Sequence, residues 1–304
     1  MTPIDVSSEV AAALADGRPV LALESTIITH GLPSPRNLAV ARDAEASARE
    51  LGVTPATVAV VDGVARVGLT AAQLDALAST PDLHKASVRD LPVIAAKRLS
   101  AGTTVAATAF LARRIGISVF STGGLGGVHR GAPTTFDESA DLPTLARTSI
   151  VMISAGVKSI LDIALTLERL ETLGLTVVGY RTKRFPGFYL SDSGHELEYQ
   201  VDSPDEIAAV YEAAVGYSLP GAVVVANPVP LDRQLDPTVL GEALDQALAD
   251  ADAGGVVGKE ITPYLLDRIQ QVTGGASLEA NVAVYDNNVR LGAQVAATLA
   301  SRRS

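Results

Sequence analysis

Two segments, Gly116–Ser121 and Thr148–Ser154, carry apolar residues on both faces. A strand with one solvated face alternates apolar and polar residues; these do not, so helices must cover them on both sides. This requirement predicts an α/β fold, a three-layer α/β/α arrangement with a mostly parallel central sheet. Polar residues and glycines collect where the two segments end: Gly123, Gly124, Gly126, Gly127, His129, Arg130, Asp137, Ser139, Asp141 and Lys158. Ligands of open α/β sheets bind beyond the carboxyl ends of the strands. The stretch from Ile117 to Ile163 is therefore where a ligand site is expected.

The remainder of the chain alternates in the same way. Strands are expected at Pro19–Leu23, Thr57–Val61, Thr176–Tyr180 and Ala222–Ala226, with a turn at Asp62-Gly63. Helical spacing covers Ser7–Ala15, Asn37–Leu51, Thr70–Ala78, Leu91–Arg98, Val105–Ile115, Ser159–Leu173, Pro204–Gly216, Asp236–Ala253 and Lys259–Gln271. Ser277–Thr298 reads as a short connector followed by a helix. His84–Asp90 reads as a polar connector. Arg181–Ser203 is irregular, suggesting a loop over a site or an oligomer contact. No repeat or linker interrupts the pattern, so one domain over residues 1–304 is expected. With 304 residues, 47% of them hydrophobic, the chain can bury a large core.

Charge narrows the function. The net charge of −10 argues against a nucleic-acid partner. With no cysteine there are no disulfides, thiol nucleophiles or cysteine–metal sites. The N-terminal stretch carries acids and no continuous apolar core, unlike a signal peptide. No apolar run approaches a membrane span, so a cytoplasmic location and no membrane partner are expected.

Several residues have the right chemistry in the right place. Lys158 falls at the start of the predicted helix Ser159–Leu173, where burial and the helix dipole would depress its pKa. It reads either as an imine-forming nucleophile or as a surface or phosphate-binding lysine. Glu24 closes the strand in LALEST and reads either as an acid or as an ordinary cation partner. Asp137 and Asp141, four apart in FDESAD, suit either a divalent cation or helix capping. His129 reads as a proton shuttle, a substrate ligand or a structural histidine. Lys85, Arg89, Thr103, Thr104 and Arg130 are candidates for holding a phosphate. The GGLGG run is neither a dinucleotide fingerprint nor a P-loop.

The segments LALESTIITHGLPSPRN, KASVRDL, GTTVAATA, FSTGGLGGVHRGAPTTFDESADL, SAGVKSILDIALTLERLETLG, GYRTKRFPGFY and NVAVYDNNVRLGAQVA together resemble pseudouridine-5'-phosphate glycosidases. The likeness runs from about Leu21 to Ala297, in family order. It implies reversible cleavage of pseudouridine 5'-phosphate to uracil and ribose 5-phosphate. It also implies a divalent metal, manganese, and a homotrimer. By position in the matching motifs, Lys158 resembles the imine-forming nucleophile, Glu24 the proton donor and Asp137 the metal ligand. Lys85, Val105, Ser139, Ala140 and Asp141 match substrate-binding positions, and His129 and Asn281 lie in motifs near the site.

The chain departs from the family pattern at Val157, Glu138 and Val88, where alanine, an apolar residue and arginine are usual. Glu138 adds charge beside Asp137; Val88 removes a basic group near the phosphate. Two other readings share these residues. One is an imine-forming sugar-phosphate lyase, and the other is a sugar-phosphate or nucleotide binding protein without catalysis.

Overall fold

A computed structural model describes residues 4–256 and 261–303. In chain order the strands are β1 (Asp5–Val6), β2 (Val20–Leu23), β3 (Thr54–Val61), β4 (Val64–Val67), β5 (His84–Ala86) and β6 (Ala101–Thr103). They continue with β7 (Val119–Ser121), β8 (Val151–Ser154), β9 (Thr176–Tyr180), β10 (Gln200–Val201) and β11 (Val223–Ala226). Side by side, β3, β2, β7, β8, β11, β9 and β10 form a parallel core. The Asp62-Gly63 turn folds β4 back on β3, and β1 adds to β4. β6 pairs antiparallel with β3 and carries β5.

Alternate residues of the strands feed two cores. Leu21, Leu23, Val119, Val151, Ile153, Val223 and Val225 pack on one face. Val20, Ala22, Phe120, Met152, Val224 and Ala226 pack on the other. Each fully buried Val, Leu or Ile contributes about 1.5–3 kcal/mol. Helices Arg36–Glu50, Ala71–Ser79, Pro204–Gly216 and Ala276–Arg303 cover the first face. Helices Ser8–Ala15, Val105–Arg114, Asp141–Leu145, Pro237–Ala253 and Ile261–Val272 cover the second. The predicted three layers are present. Ser7, Thr70, Thr104, Asp162, Ser203 and Asp236 cap their helices with side-chain oxygens. Among the described residues no helix is long and apolar enough to cross a membrane.

Three segments differ from expectation. His84–Asp90 is not a connector: β5 pairs with β6, Lys85 opposite Gly102, before a turn of 3-10 helix at Val88–Asp90. Strand pairing supplies backbone bonds that polar composition does not advertise. The helix expected from Ser159 starts at Ile163, with Asp162 as its cap. The amides of Lys158 and Asp162 bond instead to Leu125 and Val128 of the glycine loop. The connector expected at Ser277 is absent, because the helix runs unbroken over Ala276–Arg303. Arg181–Ser203 is irregular as expected but not loose: Phe185, Phe188 and Tyr189 are buried. The expected helix start at Lys259 lies outside the described residues.

Candidate active site

The connections leaving β2 and β7, which are neighbours, run in opposite directions, toward β3 and toward β8. The crevice beyond such a switch point is the usual ligand site of the fold. Glu24 follows β2 and Thr122 follows β7, side by side through the register Leu23 to Ser121. Glu24 is 4% exposed, and its two carboxylate oxygens accept the hydroxyls of Thr26 and Thr122. Buried Asn288, on the helix Ala276–Arg303, locks this corner. Its Nδ2 donates to Thr122 O at 2.8 Å and Gly123 O at 3.1 Å, and its Oδ1 accepts from Asn227 at 2.9 Å.

Lys158 follows β8. Its amide donates to Leu125 O at 3.1 Å, extending strand-like pairing into the glycine loop. It is therefore not in a helical first turn, and the dipole expected to act on it is absent. The loop glycines permit close approach. A Cβ on Gly124 would lie 2.6 Å from the Phe188 ring, and one on Gly126 would lie 2.5 Å from Asp141 Oδ2.

Two cavities meet at this point. The larger, about 440 Å³, is lined by Arg89, Thr104, Val105, Gly126, His129, Asp137 and Ser139 to Asp141. The smaller, about 50 Å³, is lined by His30, Gly123, Gly124, Phe188 and Asn281. Glu24, Thr26, Lys85, Lys158 and Thr262 line both. The residues that match the family's site positions all line one or both cavities. Two of the phosphate candidates do not. Thr103 is fully buried and bonds to Val58 O at 2.6 Å, and Arg130 is exposed outside both cavities.

The larger cavity is mixed in charge, with the carboxylates of Glu24, Asp137, Glu138 and Asp141 in its lining. It opens on the N-terminus of helix Val105–Arg114. Asp141 Oδ1 accepts from Ala106 N at 2.8 Å and Oδ2 from Gly126 N at 3.0 Å, so both its oxygens are occupied. Asp141 thereby ties the start of helix Val105–Arg114 to the glycine loop. Lys85, Arg89 and Lys158 add positive charge. His129 Nδ1 lies 3.9 Å from Asp137 Oδ2. Burial is the main cause holding the His129 pKa below the ordinary imidazole value; Asp137 opposes this, and Lys85 and Lys158 push it lower.

Among the described residues no three His, Cys, Asp or Glu side chains converge on a metal position. Of the four carboxylates in the cavity lining, Glu24 and Asp141 accept a hydrogen bond on each oxygen and Glu138 is drawn to Arg169 at 2.8 Å, which leaves Asp137. One such carboxylate suits a hard cation that keeps most of its waters.

Thr26, Thr122, His30, Phe188 and Asn288 escaped sequence reasoning. Only Thr122 carried a signal, standing at the end of a doubly apolar strand among the glycines.

Fold and site together define an α/β/α enzyme with a lysine and a carboxylate at the sheet's switch point. The chain belongs to the indigoidine synthase A like protein family, whose profile matches residues 9–298. It is 61% identical over 295 residues to the pseudouridine-5'-phosphate glycosidase of Saccharopolyspora erythraea, covering 97% of each chain. It is 54% identical to the protein of that name from a Nocardioides species, covering 99% of this chain and 98% of the relative. The crystal structure of the prealnumycin C-glycosynthase AlnA in complex with ribulose 5-phosphate superposes with a TM-score of 0.92 at 35% identity, covering 100% of this chain and 99% of that one. An indigoidine synthase A-like protein from Thermotoga maritima gives 0.89 at 35% identity, covering 98% and 96%.

Proposed function

We propose that the chain reversibly cleaves the C-glycosidic bond of pseudouridine 5'-phosphate with water, giving uracil and ribose 5-phosphate. One observation carries this reading: Glu24 and Lys158 stand where a roomy cavity lined by Lys85 and Arg89 meets a narrow cavity walled by Phe188 and Asn281. A phosphorylated sugar suits the first and a flat base the second, which sets C1' beside Lys158. The names of the curated relatives support the same substrate.

A carbon–carbon bond offers no leaving oxygen to protonate, so the two-carboxylate route of ordinary glycosidases does not serve. Instead Glu24 protonates the ribose ring oxygen as the ring opens, and deprotonated Lys158 bonds to C1'. Uracil C5 gains a proton, the C1'–C5 bond breaks, and the lysine nitrogen forms an imine with C1'. Water then releases ribose 5-phosphate and restores the amine. Lys85, Val105, Ser139, Ala140 and Asp141 hold the phosphorylated end, with His129 beside them, and Asn281 faces the base. Asp137 is the residue that would hold a divalent cation, manganese in this proposal, which supplies charge neutralisation near the phosphate when bound. The homotrimer rests on the family resemblance and the cytoplasmic location on the composition.

Uracil release from pseudouridine 5'-phosphate, with and without manganese, tests the reading. Borohydride with ribose 5-phosphate should fix the sugar to Lys158. An active protein with no adduct there would sink the imine step. Release of a carbonyl fragment in place of uracil would indicate a lyase, and binding without product a carrier.

A further inference from the structure

The reaction proposed above needs a proton at uracil C5, and its source is still unassigned. Glu24 serves the ring oxygen and Lys158 becomes the covalent partner. Among described residues lining the smaller cavity, the ionisable ones are Glu24, His30, Lys85 and Lys158. All but His30 also line the phosphate cavity. His30 lies on the base side alone, where it also borders, with Asn281, a third cavity of about 260 Å³.

The placement of His30 is fixed by its neighbours. It belongs to a turn of π-helix, Ile27–Gly31, shortly after Glu24. Such turns are rare and are frequent at functional sites. Its Nδ1 lies 2.6 Å from Thr29 Oγ1, and that hydroxyl lies 3.2 Å from Ser25 O. Thr29 is itself pressed against Gly102, where a Cβ would overlap its hydroxyl. The hydroxyl has one proton. Donated to Ser25 O, it leaves Thr29 Oγ1 able to accept from Nδ1–H, one of the two tautomers this contact allows.

We propose that His30 is the acid that protonates uracil C5 during cleavage and the base that removes the C5 proton during synthesis. The step balances. The proton moves from the His30 imidazolium to C5, and the C1'–C5 bonding pair returns to the uracil ring. The lysine nitrogen lone pair closes the imine at C1', and neutral His30 regains its proton from water.

The inference rests on the proposed function, and two assays on the full chain separate them. Uracil release needs the C5 proton; borohydride trapping of ribose 5-phosphate on Lys158 does not. His30→Asn should lower uracil release by about 10²–10⁴-fold while adduct formation stays at the wild-type level. Thr29→Val keeps the imidazole but frees its orientation, and should lower release by roughly tenfold with trapping unchanged. Unimpaired release in His30→Asn overturns the assignment. So does an equal loss of release and trapping, which marks a structural role. A wild-type protein that releases no uracil overturns the function itself, and this inference with it; an active wild type beside an equally active His30→Asn overturns the inference alone.

Discussion

The two cavities that share Glu24 and Lys158 are made in different ways. The larger is assembled mainly from three stretches, 85–89, 104–105 and 126–141, and is rich in charged side chains. The smaller draws single side chains from distant segments, His30, Phe188 and Asn281, around two glycines. On the proposed reading the first takes a generic handle, a phosphate, of the kind helix N-termini and cations recognise. On the same reading the second takes the flat base, and shape and a few polar atoms are what it has to distinguish one base from another. Affinity and identity are thus separable in this protein, and the reversible reaction offers a substrate for each side.

The largest effects belong to the two residues that both cavities share. Lys158→Ala should lower kcat by about 10⁵–10⁶-fold, the scale of losing a nucleophile. It should also abolish the borohydride adduct by mass spectrometry. A variant still turning over at a tenth of the wild-type rate would show that Lys158 only pairs with phosphate. Glu24→Gln should cost about 10²–10⁴-fold in kcat with KM nearly unchanged, since the amide still accepts from one hydroxyl but cannot deliver a proton. Steady-state kinetics decide this, and an equal rise in KM would make Glu24 a binding group.

The next pair asks whether the cavities are independent. Asn281→Ala should raise the KM for uracil in the synthesis direction by roughly tenfold, the cost of one buried hydrogen bond, and leave that for ribose 5-phosphate alone. Asp141→Asn disturbs the acceptor shared by the Ala106 and Gly126 amides. It should raise the KM for ribose 5-phosphate by about tenfold and spare uracil. If either variant moved both constants together, the two-cavity picture would fail.

This difference in construction also explains what the sequence revealed. The strands ending at Ser121 and Ser154 announced a doubly covered parallel sheet, since apolar faces must be buried whatever their partners. Helix starts at Thr70, Thr104 and Asp236 were legible because capping is local chemistry. Asp137, Ser139 and Lys158 stood out as polar groups beside glycines and Glu24 as a carboxylate closing an apolar strand, while Asn281 entered through motif resemblance. Phe188 and Asn288 could not be found in that way. A phenylalanine that walls a cavity and one that fills a core look alike, and only the fold brings Asn288 to the carbonyls of Thr122 and Gly123. The helix expected at Lys158 failed for a related reason. Residues 157–162 have helical composition, but long-range pairing with the glycine loop takes their backbone.

The smallest effect comes from a residue outside both cavities and serves as the control for the comparison. Glu45, on the helix Arg36–Glu50, accepts from Thr57 Oγ1 at 2.7 Å. Burial, the main cause, raises its pKa above 4.5; the Thr57 hydrogen bond and Arg49 oppose this, and Glu9 adds to the rise. The folded chain therefore keeps this proton to higher pH than the unfolded chain does. Its contribution to stability is complete below about pH 4.5 and is lost as pH rises through the folded value. Glu45→Gln should accordingly raise Tm relative to wild type above that window, with no gain below it. The constants for uracil and ribose 5-phosphate should not move. Thermal melts across the window, paired with kinetics at neutral pH, check both halves. A Tm difference independent of pH would show that packing, not ionisation, sets the effect. A shift in either KM would mean that the cavities sense strain from the far side of the sheet, and would weaken every assignment made from KM above.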